Sequence, residues 1–149
     1  ERRGLCYSIQ SSYQLFEETG LFTISGGFDS QRAEAALRLT AKEIRRVLDT
    51  RVGAAELKRT KDYLLGTFRL GLEGTGNQMM FIGESMLNYG RVVRPEETIA
   101  GIEAVTADDV RSVAGDVFEP SRLTLSLVVP TAQQQDEATW LDTLSALEL

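Results

Sequence analysis

The sequence predicts an α+β domain in which a mostly antiparallel sheet has helices packed on one of its faces. Two neighbouring segments near the start alternate apolar and polar residues, which is the period of a half-buried strand. The middle of the chain repeats apolar residues at helical spacing over five segments, and a last alternating segment follows them. The expected order is therefore β-β-α-α-α-α-α-β, with three strands in one narrow sheet.

The first two strands are expected to form a hairpin. Residues 4–16 alternate large apolar residues with small or polar ones, and residues 21–28 repeat the pattern after a short polar turn. A connection this short favours antiparallel pairing. Gly26 and Gly27 stand near the end of the second segment, where they predict a β-bulge or the close approach of another backbone.

Capping residues and apolar spacing locate the helices. Asp29 and Ser30 are good N-cap residues, and the residues after them predict a helix over about 30–50. Pro95 suits the first turn of a short helix, and Thr106 begins a capping box before another. A further helix is expected from Ala54 to the glycines at 71, 74 and 76. Another is expected from Asn77 to Tyr89, followed by Gly90 in the left-handed conformation.

The end of the chain is expected to return to the sheet. Residues 122–129 place three leucines on one face, which predicts the third strand. Residues 131–149 are rich in glutamine and then amphipathic, so we interpret them as a frayed helix or a disordered tail. The sequence begins at Glu1 without Met and enters a strand almost at once. We therefore interpret residues 1–130 as one domain that lacks its first strand and helix.

Composition excludes several classes of function. The chain has 16 Lys and Arg against 22 Asp and Glu, a net charge of −6, whereas nucleic-acid binding requires basic clusters. It has no histidine, which excludes Ser-His-Asp triads, Cys-His pairs and His-ligated zinc within these residues. No apolar run approaches the ~18–20 residues of a membrane span. A single cysteine and the lack of a signal-peptide pattern favour the cytoplasm over export, although the compartment stays open.

Three groups of residues could perform chemistry, and each has a simpler structural interpretation. Cys6 has no histidine to activate it, which favours a small buried side chain. The glycines at 71, 74 and 76 follow a helix and lack the GK[ST] of a phosphate loop, which favours a hinge between helices. The acidic pairs at 96–97 and 108–109 begin predicted helices, where negative charge is favourable. Composition and spacing alone therefore identify no reaction.

Five segments nevertheless agree, in order and spacing, with one known family. They are the opening ERRGLCYSIQSSY, then GLFTISGGFD, ELKRTKDYLLGTF, the stretch from LEGTGNQ to SVAGDVF, and RLTLSLVVP. Together they resemble the second, non-catalytic half of the insulinase and mitochondrial-processing-peptidase (pitrilysin-type) zinc peptidases. The resemblance covers about residues 1–130. It implies a metallohydrolase-like two-layer fold, so that 1–130 would be the truncated C-terminal, inactive domain of such a peptidase.

The resemblance also implies where the chemistry lies. Zinc would be held by His-x-x-Glu-His and a distant Glu in the N-terminal half of a longer parent, where it would activate water with the motif Glu as general base. No catalytic residue, cofactor or metal ligand is expected in this chain. Tyr7 matches a family tyrosine that approaches the bound peptide, and its hydroxyl would bind the substrate or the developing oxyanion. The family's arginine would immediately precede Glu1.

The expected function follows from these assignments. The parent would be a zinc-dependent metalloendopeptidase that processes proteins or degrades oligopeptides, and this chain would form one wall of its substrate chamber without being active alone. Its expected partners are the N-terminal catalytic half, a peptide substrate, and a second copy paired through an exposed sheet edge. Neither nucleic acid nor membrane is expected as a partner. The alternative is a scaffold or partner subunit of the same family whose parent lacks a zinc site.

Overall fold

The hairpin predicted from the two alternating segments is present. β1 (Cys6–Leu15) pairs antiparallel with β2 (Gly20–Phe28). They are the only strands in residues 5–128 and 130, the part of the chain that the computed structural model describes. The turn between them is closed by a backbone hydrogen bond from the Phe16 amide to the Thr19 carbonyl, at 2.8 Å.

One face of this hairpin is apolar and the other is polar. The register pairs Tyr13 with Phe22 and Gln14 with Leu21. Because successive residues of a strand point to opposite faces, the odd-numbered residues of β1 share a face with the even-numbered residues of β2. The apolar face therefore collects Ile9, Tyr13, Leu15, Phe22 and Ile24.

Gly26 and Gly27 predict a bulge or a close backbone approach, and the structure has a close approach at Gly26 and a bulge whose extra residue lies opposite, in β1. The register shifts between Cys6 and Ser8, which leaves Tyr7 as the extra residue of β1. A Cβ atom on Gly26 would lie 2.9 Å from the carbonyl oxygen of Ser8 and 2.6 Å from the ring Cζ of Phe28. Glycine at position 26 is what allows the two backbones to approach so closely.

Replacing Gly26 with Ala is expected to destabilise the chain by about 1–3 kcal/mol, because the added methyl group overlaps backbone across the hairpin. Urea unfolding followed by circular dichroism measures the change. Gly27→Ala is the matched control, since the nearest atom to its Cβ would be Ser8 Oγ at an ordinary 3.6 Å. Equal losses in the two variants would contradict this explanation.

Five α-helices follow the hairpin, close to the predicted bounds. A 3-10 turn (Ser30–Arg32) precedes the first helix, and another (Pro120–Arg122) follows the last. The helix expected over 30–50 therefore begins with a tighter turn. The helices are α1 (Ala33–Asp49), α2 (Ala54–Gly71), α3 (Thr75–Tyr89), α4 (Pro95–Ala104) and α5 (Ala107–Val117).

Two of the predicted helix ends are also confirmed, the C-terminal end of α3 and the N-terminal end of α5. Gly90 adopts the left-handed conformation after α3, with φ of 66°. The capping box forms at α5, where Asp109 Oδ2 accepts from the Thr106 amide at 2.8 Å and from its hydroxyl at 2.7 Å. The Asp109 amide in turn donates to Thr106 Oγ1 at 3.2 Å. The hydrogen bonds that the Asp109 carboxylate accepts, first from the Thr106 hydroxyl and then from the Thr106 amide, lower the pKa of Asp109.

The predicted third strand is wrong over the residues that the structure describes. Residues 123–128 of the expected strand 122–129 have no regular secondary structure, and the segment begins inside the 3-10 turn. Alternation of leucines provides a face to bury, but a strand also needs a neighbour for its backbone hydrogen bonds. Residues 131–149, interpreted from sequence as a tail, lie outside the described residues, as does Val129.

The chain divides into two compact units. One comprises the residues up to Thr50 and those from Val113 onward, and the other comprises residues 51–112. In the first unit, Phe118 meets Phe22 of the apolar face edge-on, with ring centroids 5.2 Å apart. In the second unit, Phe68 and Phe81 make a similar contact at 5.5 Å.

Burial within the units is shallow. Among the described residues the buried side chains are mostly small, and no large side chain is fully buried. Large apolar side chains remain on the surface in both units, including Tyr13 of β1 and Leu87 of α3. Such surfaces are typical of interaction sites. None of the described helices has both the length and the apolarity that crossing a bilayer requires.

Candidate functional site

Tyr7 is displayed at the surface by the bulge of β1. As the extra residue between Cys6 and Ser8, it has no partner across the hairpin. Its side chain is 85% exposed, more than that of any other tyrosine or phenylalanine among the described residues. A phenol placed in this way presents both a ring face and a hydroxyl that can donate or accept a hydrogen bond.

A small cavity lies directly beside Tyr7, within the first unit. Its volume is about 190 Å³, and its lining residues are Leu5, Cys6, Tyr7, Asp29 and Arg32. Leu5 and Cys6 are half-buried, whereas the other three are exposed. The cavity therefore combines a partly apolar wall with a phenol, a carboxylate and a guanidinium that solvent or a ligand can reach.

The turn after β2 fixes the two charged lining residues. Asp29 Oδ1 accepts a hydrogen bond from the Gln31 amide at 3.0 Å, and the Asp29 carbonyl accepts one from the Arg32 amide at 2.8 Å. Asp29 thus initiates the 3-10 turn, whereas the N-cap residue of α1 is Arg32 and not Asp29 or Ser30 as the sequence predicts, because the chain makes a tighter turn before the helix. The second carboxylate oxygen, Oδ2, takes no part in the hydrogen bond to the Gln31 amide.

The hairpin register accounts for the meeting of two segments distant in sequence. Cys6 pairs with Phe28, so the residues after Phe28 lie beside Leu5 and Tyr7. Sequence patterns indicate Tyr7 as a site residue and Asp29 as a cap, whereas no motif marks Arg32. The predicted hairpin is the signal that could have indicated Arg32, because antiparallel pairing brings the start of one strand to the end of the next.

Three of the four acidic residues considered from the sequence, Glu97, Asp108 and Asp109, are engaged in ion pairs or caps. Glu97 accepts from the Arg91 guanidinium at 3.0 Å and from the Arg94 amide at 2.9 Å. The Arg91 hydrogen bond, followed by that from the Arg94 backbone, lowers the pKa of Glu97 to about 2. Asp108 Oδ1 lies 2.7 Å from Arg51 Nε. These carboxylates stabilise helix starts, in agreement with the structural interpretation.

The glycine-rich segment joins α2 to α3, as its interpretation as a hinge predicts. Side-chain amides at the start of α3 reach back to the last carbonyls of α2. Asn77 Nδ2 donates to Gly71 O at 2.8 Å, and Gln78 Nε2 donates to Leu72 O at 2.7 Å. These bonds satisfy carbonyl groups that a helix end leaves open.

A second cavity, within residues 51–112, has a volume of about 320 Å³. Its lining is apolar apart from Gln78, whose amide already binds the Leu72 carbonyl. It offers no charged or nucleophilic side chain. The cavity beside Tyr7 is therefore the better candidate for specific contacts with a ligand.

The described residues do not fit a metal ion. Within residues 5–128 and 130 no three Cys, Asp or Glu side chains come together as a metal-binding group, and histidine is absent from the whole sequence. Structural and catalytic zinc sites use Cys, His, Asp and Glu ligands in sets of three or four.

Comparison with known proteins shows that the chain is similar to M16 peptidases. Residues 1–64 match the Peptidase M16 inactive domain. A zinc protease of Streptomyces coelicolor, itself uncharacterised, is 36% identical over 135 residues, which are 91% of this chain and 29% of that protein. The beta subunit of the mitochondrial-processing peptidase of Dictyostelium discoideum is 27% identical over 132 residues, 89% of this chain and 28% of that protein.

A solved structure supports the fold. The crystal structure of a conserved protein from Enterococcus faecalis superposes with a TM-score of 0.65 at 25% identity, over 76% of this chain and 26% of that one. The α+β fold class is thus confirmed. The chain spans less than a third of the length of each of these relatives. The chain therefore carries, over residues 1–64, a match to the Peptidase M16 inactive domain, and its relatives support a non-catalytic part of a metallopeptidase.

Proposed function

We propose that this chain forms one wall of the substrate chamber of a zinc-dependent metalloendopeptidase and helps to hold an extended peptide there. The cavity beside Tyr7 is the observation that supports the proposal. A mostly exposed phenol stands next to a guanidinium and a carboxylate on the same small cavity. Donors and acceptors in this arrangement match the alternating carbonyl and amide groups of an extended peptide.

In this proposal Tyr7 binds substrate and the hydrolytic groups lie elsewhere. Its hydroxyl would donate to a peptide carbonyl, or to the oxyanion that develops when that carbonyl is attacked. The partner is the catalytic half of the same protein, in which zinc would be bound. The name of the Streptomyces relative, a zinc protease, supports the presence of zinc in the parent.

We also propose that the isolated chain pairs with a second copy through its sheet edge. Within the described residues, β1 and β2 each have one edge without a neighbouring strand. The apolar face beside these edges is largely exposed, with Tyr13 at 73% and Leu15 at 78%. An open edge next to apolar surface is a template for strand addition.

Metal analysis and peptidase assays on the full-length protein test the proposed function. We expect stoichiometric zinc and cleavage of unstructured peptides by the full-length protein. The separately purified 149-residue chain is expected to have neither property, because it lacks histidine. A full-length protein without zinc or cleavage would favour the scaffold alternative. Cleavage by the isolated chain, with contaminants excluded, would overturn its assignment as a non-catalytic part.

A further inference from the structure

We infer that Arg32 and Asp29 form a clamp for the peptide backbone beside Tyr7, and that this clamp binds peptides without selecting the charge of their side chains. The inference rests on the proposed function and extends it from one residue to a subsite. Its basis is the cavity of about 190 Å³ that these three residues line together.

The chemistry of the two charged residues is complementary to one peptide unit. The Arg32 guanidinium has five N–H donors in a planar fork, so it can donate to a peptide carbonyl in addition to its other contacts. Asp29 uses Oδ1 to accept from the Gln31 amide, and its Oδ2 can accept from a peptide N–H. A carbonyl and an N–H are the groups that every residue of an extended peptide except proline offers.

The charges of the cavity explain why no side-chain charge would be preferred. Arg32 and Asp29 contribute one positive and one negative charge to the same wall. An acidic peptide side chain would be attracted by Arg32 and repelled by Asp29, whereas a basic side chain would be repelled by Arg32 and attracted by Asp29. The favourable interactions therefore belong to the peptide backbone, which is suited to a protein that handles diverse extended chains.

The geometry holds the clamp in place without the ligand. The backbone bond from the Arg32 amide to the Asp29 carbonyl, at 2.8 Å, closes the turn between the two residues. The pairing of Cys6 with Phe28 anchors that turn beside Tyr7. Because these hydrogen bonds fix the backbone of the turn, the protein needs to order only side chains there when a peptide binds.

Binding of labelled peptides to the full-length protein, with metal removed by a chelator to prevent cleavage, tests the inference. The probes are three fluorescein-labelled extended peptides that differ only in a central Glu, Gln or Lys, and fluorescence polarisation gives each Kd. Arg32→Ala is expected to raise Kd about tenfold for all three, because charge-assisted hydrogen bonds are lost. Arg32→Lys should recover part of the affinity, since lysine keeps the charge without the fork.

Two further variants complete the design. Asp29→Asn retains an oxygen for the Gln31 amide but replaces the acceptor Oδ2 with an NH2 donor. This variant should also weaken the binding of all three peptides. Arg38→Ala is the matched control, because Arg38 lies on α1 in an exposed ion pair with Glu34 and does not line the cavity. Its affinities should equal those of the wild type. Circular dichroism of each variant verifies that the helices are retained.

The outcomes separate this inference from the proposed function. If Tyr7→Phe weakens peptide binding while Arg32→Ala does not, the inferred clamp is contradicted, and the proposal that Tyr7 helps to bind the peptide is supported. If Arg32→Ala weakens only the Glu peptide, Arg32 binds an acidic side chain and the backbone clamp is wrong. If the wild-type protein binds none of the three peptides, the proposed function fails and the clamp fails with it.

Discussion

Replacing Tyr7 with Phe in the full-length protein is expected to lower the rate of peptide hydrolysis by about a hundredfold. The substitution keeps the ring and removes only the hydroxyl, so it deletes one preorganised donor from the site. Loss of a single donor to a developing oxyanion typically costs 10²–10³ in kcat, to an order of magnitude. Steady-state kinetics on a quenched fluorogenic peptide measure the change.

The division of this loss between kcat and KM identifies the role of the hydroxyl. A fall in kcat at constant KM indicates a bond made in the transition state, and a rise in KM alone indicates a bond to the bound substrate. Tyr13→Phe is the matched control, because Tyr13 is also an exposed tyrosine of β1 but does not line the cavity. An unchanged rate in Tyr7→Phe would remove Tyr7 from the site.

The isolated 149-residue chain is expected to sediment as a dimer or a larger species at micromolar concentration. Within the described residues its two-stranded sheet has an open edge on each side, next to an apolar face on which Tyr13 and Leu15 are largely exposed. Pairing two such edges satisfies backbone hydrogen bonds and places the apolar faces side by side. Sedimentation velocity over a concentration series measures the distribution of species.

Lysine substitutions locate the association on the apolar face. Tyr13→Lys places a charge on that face and is expected to reduce the dimer fraction about tenfold, since inward-facing lysines protect natural sheet edges. Gln14→Lys adds the same charge to the polar face of the same strand and should have a smaller effect. A wild-type chain that is strictly monomeric throughout the series would contradict pairing through the sheet edge.

Local features of this fold were predictable from the sequence because they depend on neighbouring residues. The period of β1 and β2, the glycine at position 26 and the capping box at Thr106 each involve contacts within one hairpin or one helical turn. Contacts of this short range can be inferred directly from the spacing of residues in the sequence. The left-handed Gly90 belongs to the same group, since only the preceding helix determines its conformation.

The features that were missed depend on residues distant in sequence. The leucines of 123–128 alternate as a strand requires, but alternation does not supply the neighbouring strand, and these residues remain irregular. Cys6 was expected to be buried and is half-buried beside the cavity, because the bulge alters the end of β1. Arg32 has no motif of its own. It becomes a site residue only through the pairing that brings the end of β2 to Tyr7.

Photo-crosslinking of a bound peptide to the full-length protein asks directly whether this chain touches substrate. A peptide with a benzophenone side chain is bound to the metal-depleted protein, irradiated and mapped by mass spectrometry. We expect crosslinks within residues 5–9 and 29–32, the two segments that surround the cavity, and their loss when unlabelled peptide competes. Crosslinks confined to other parts of the protein would contradict a role of this chain in holding the peptide.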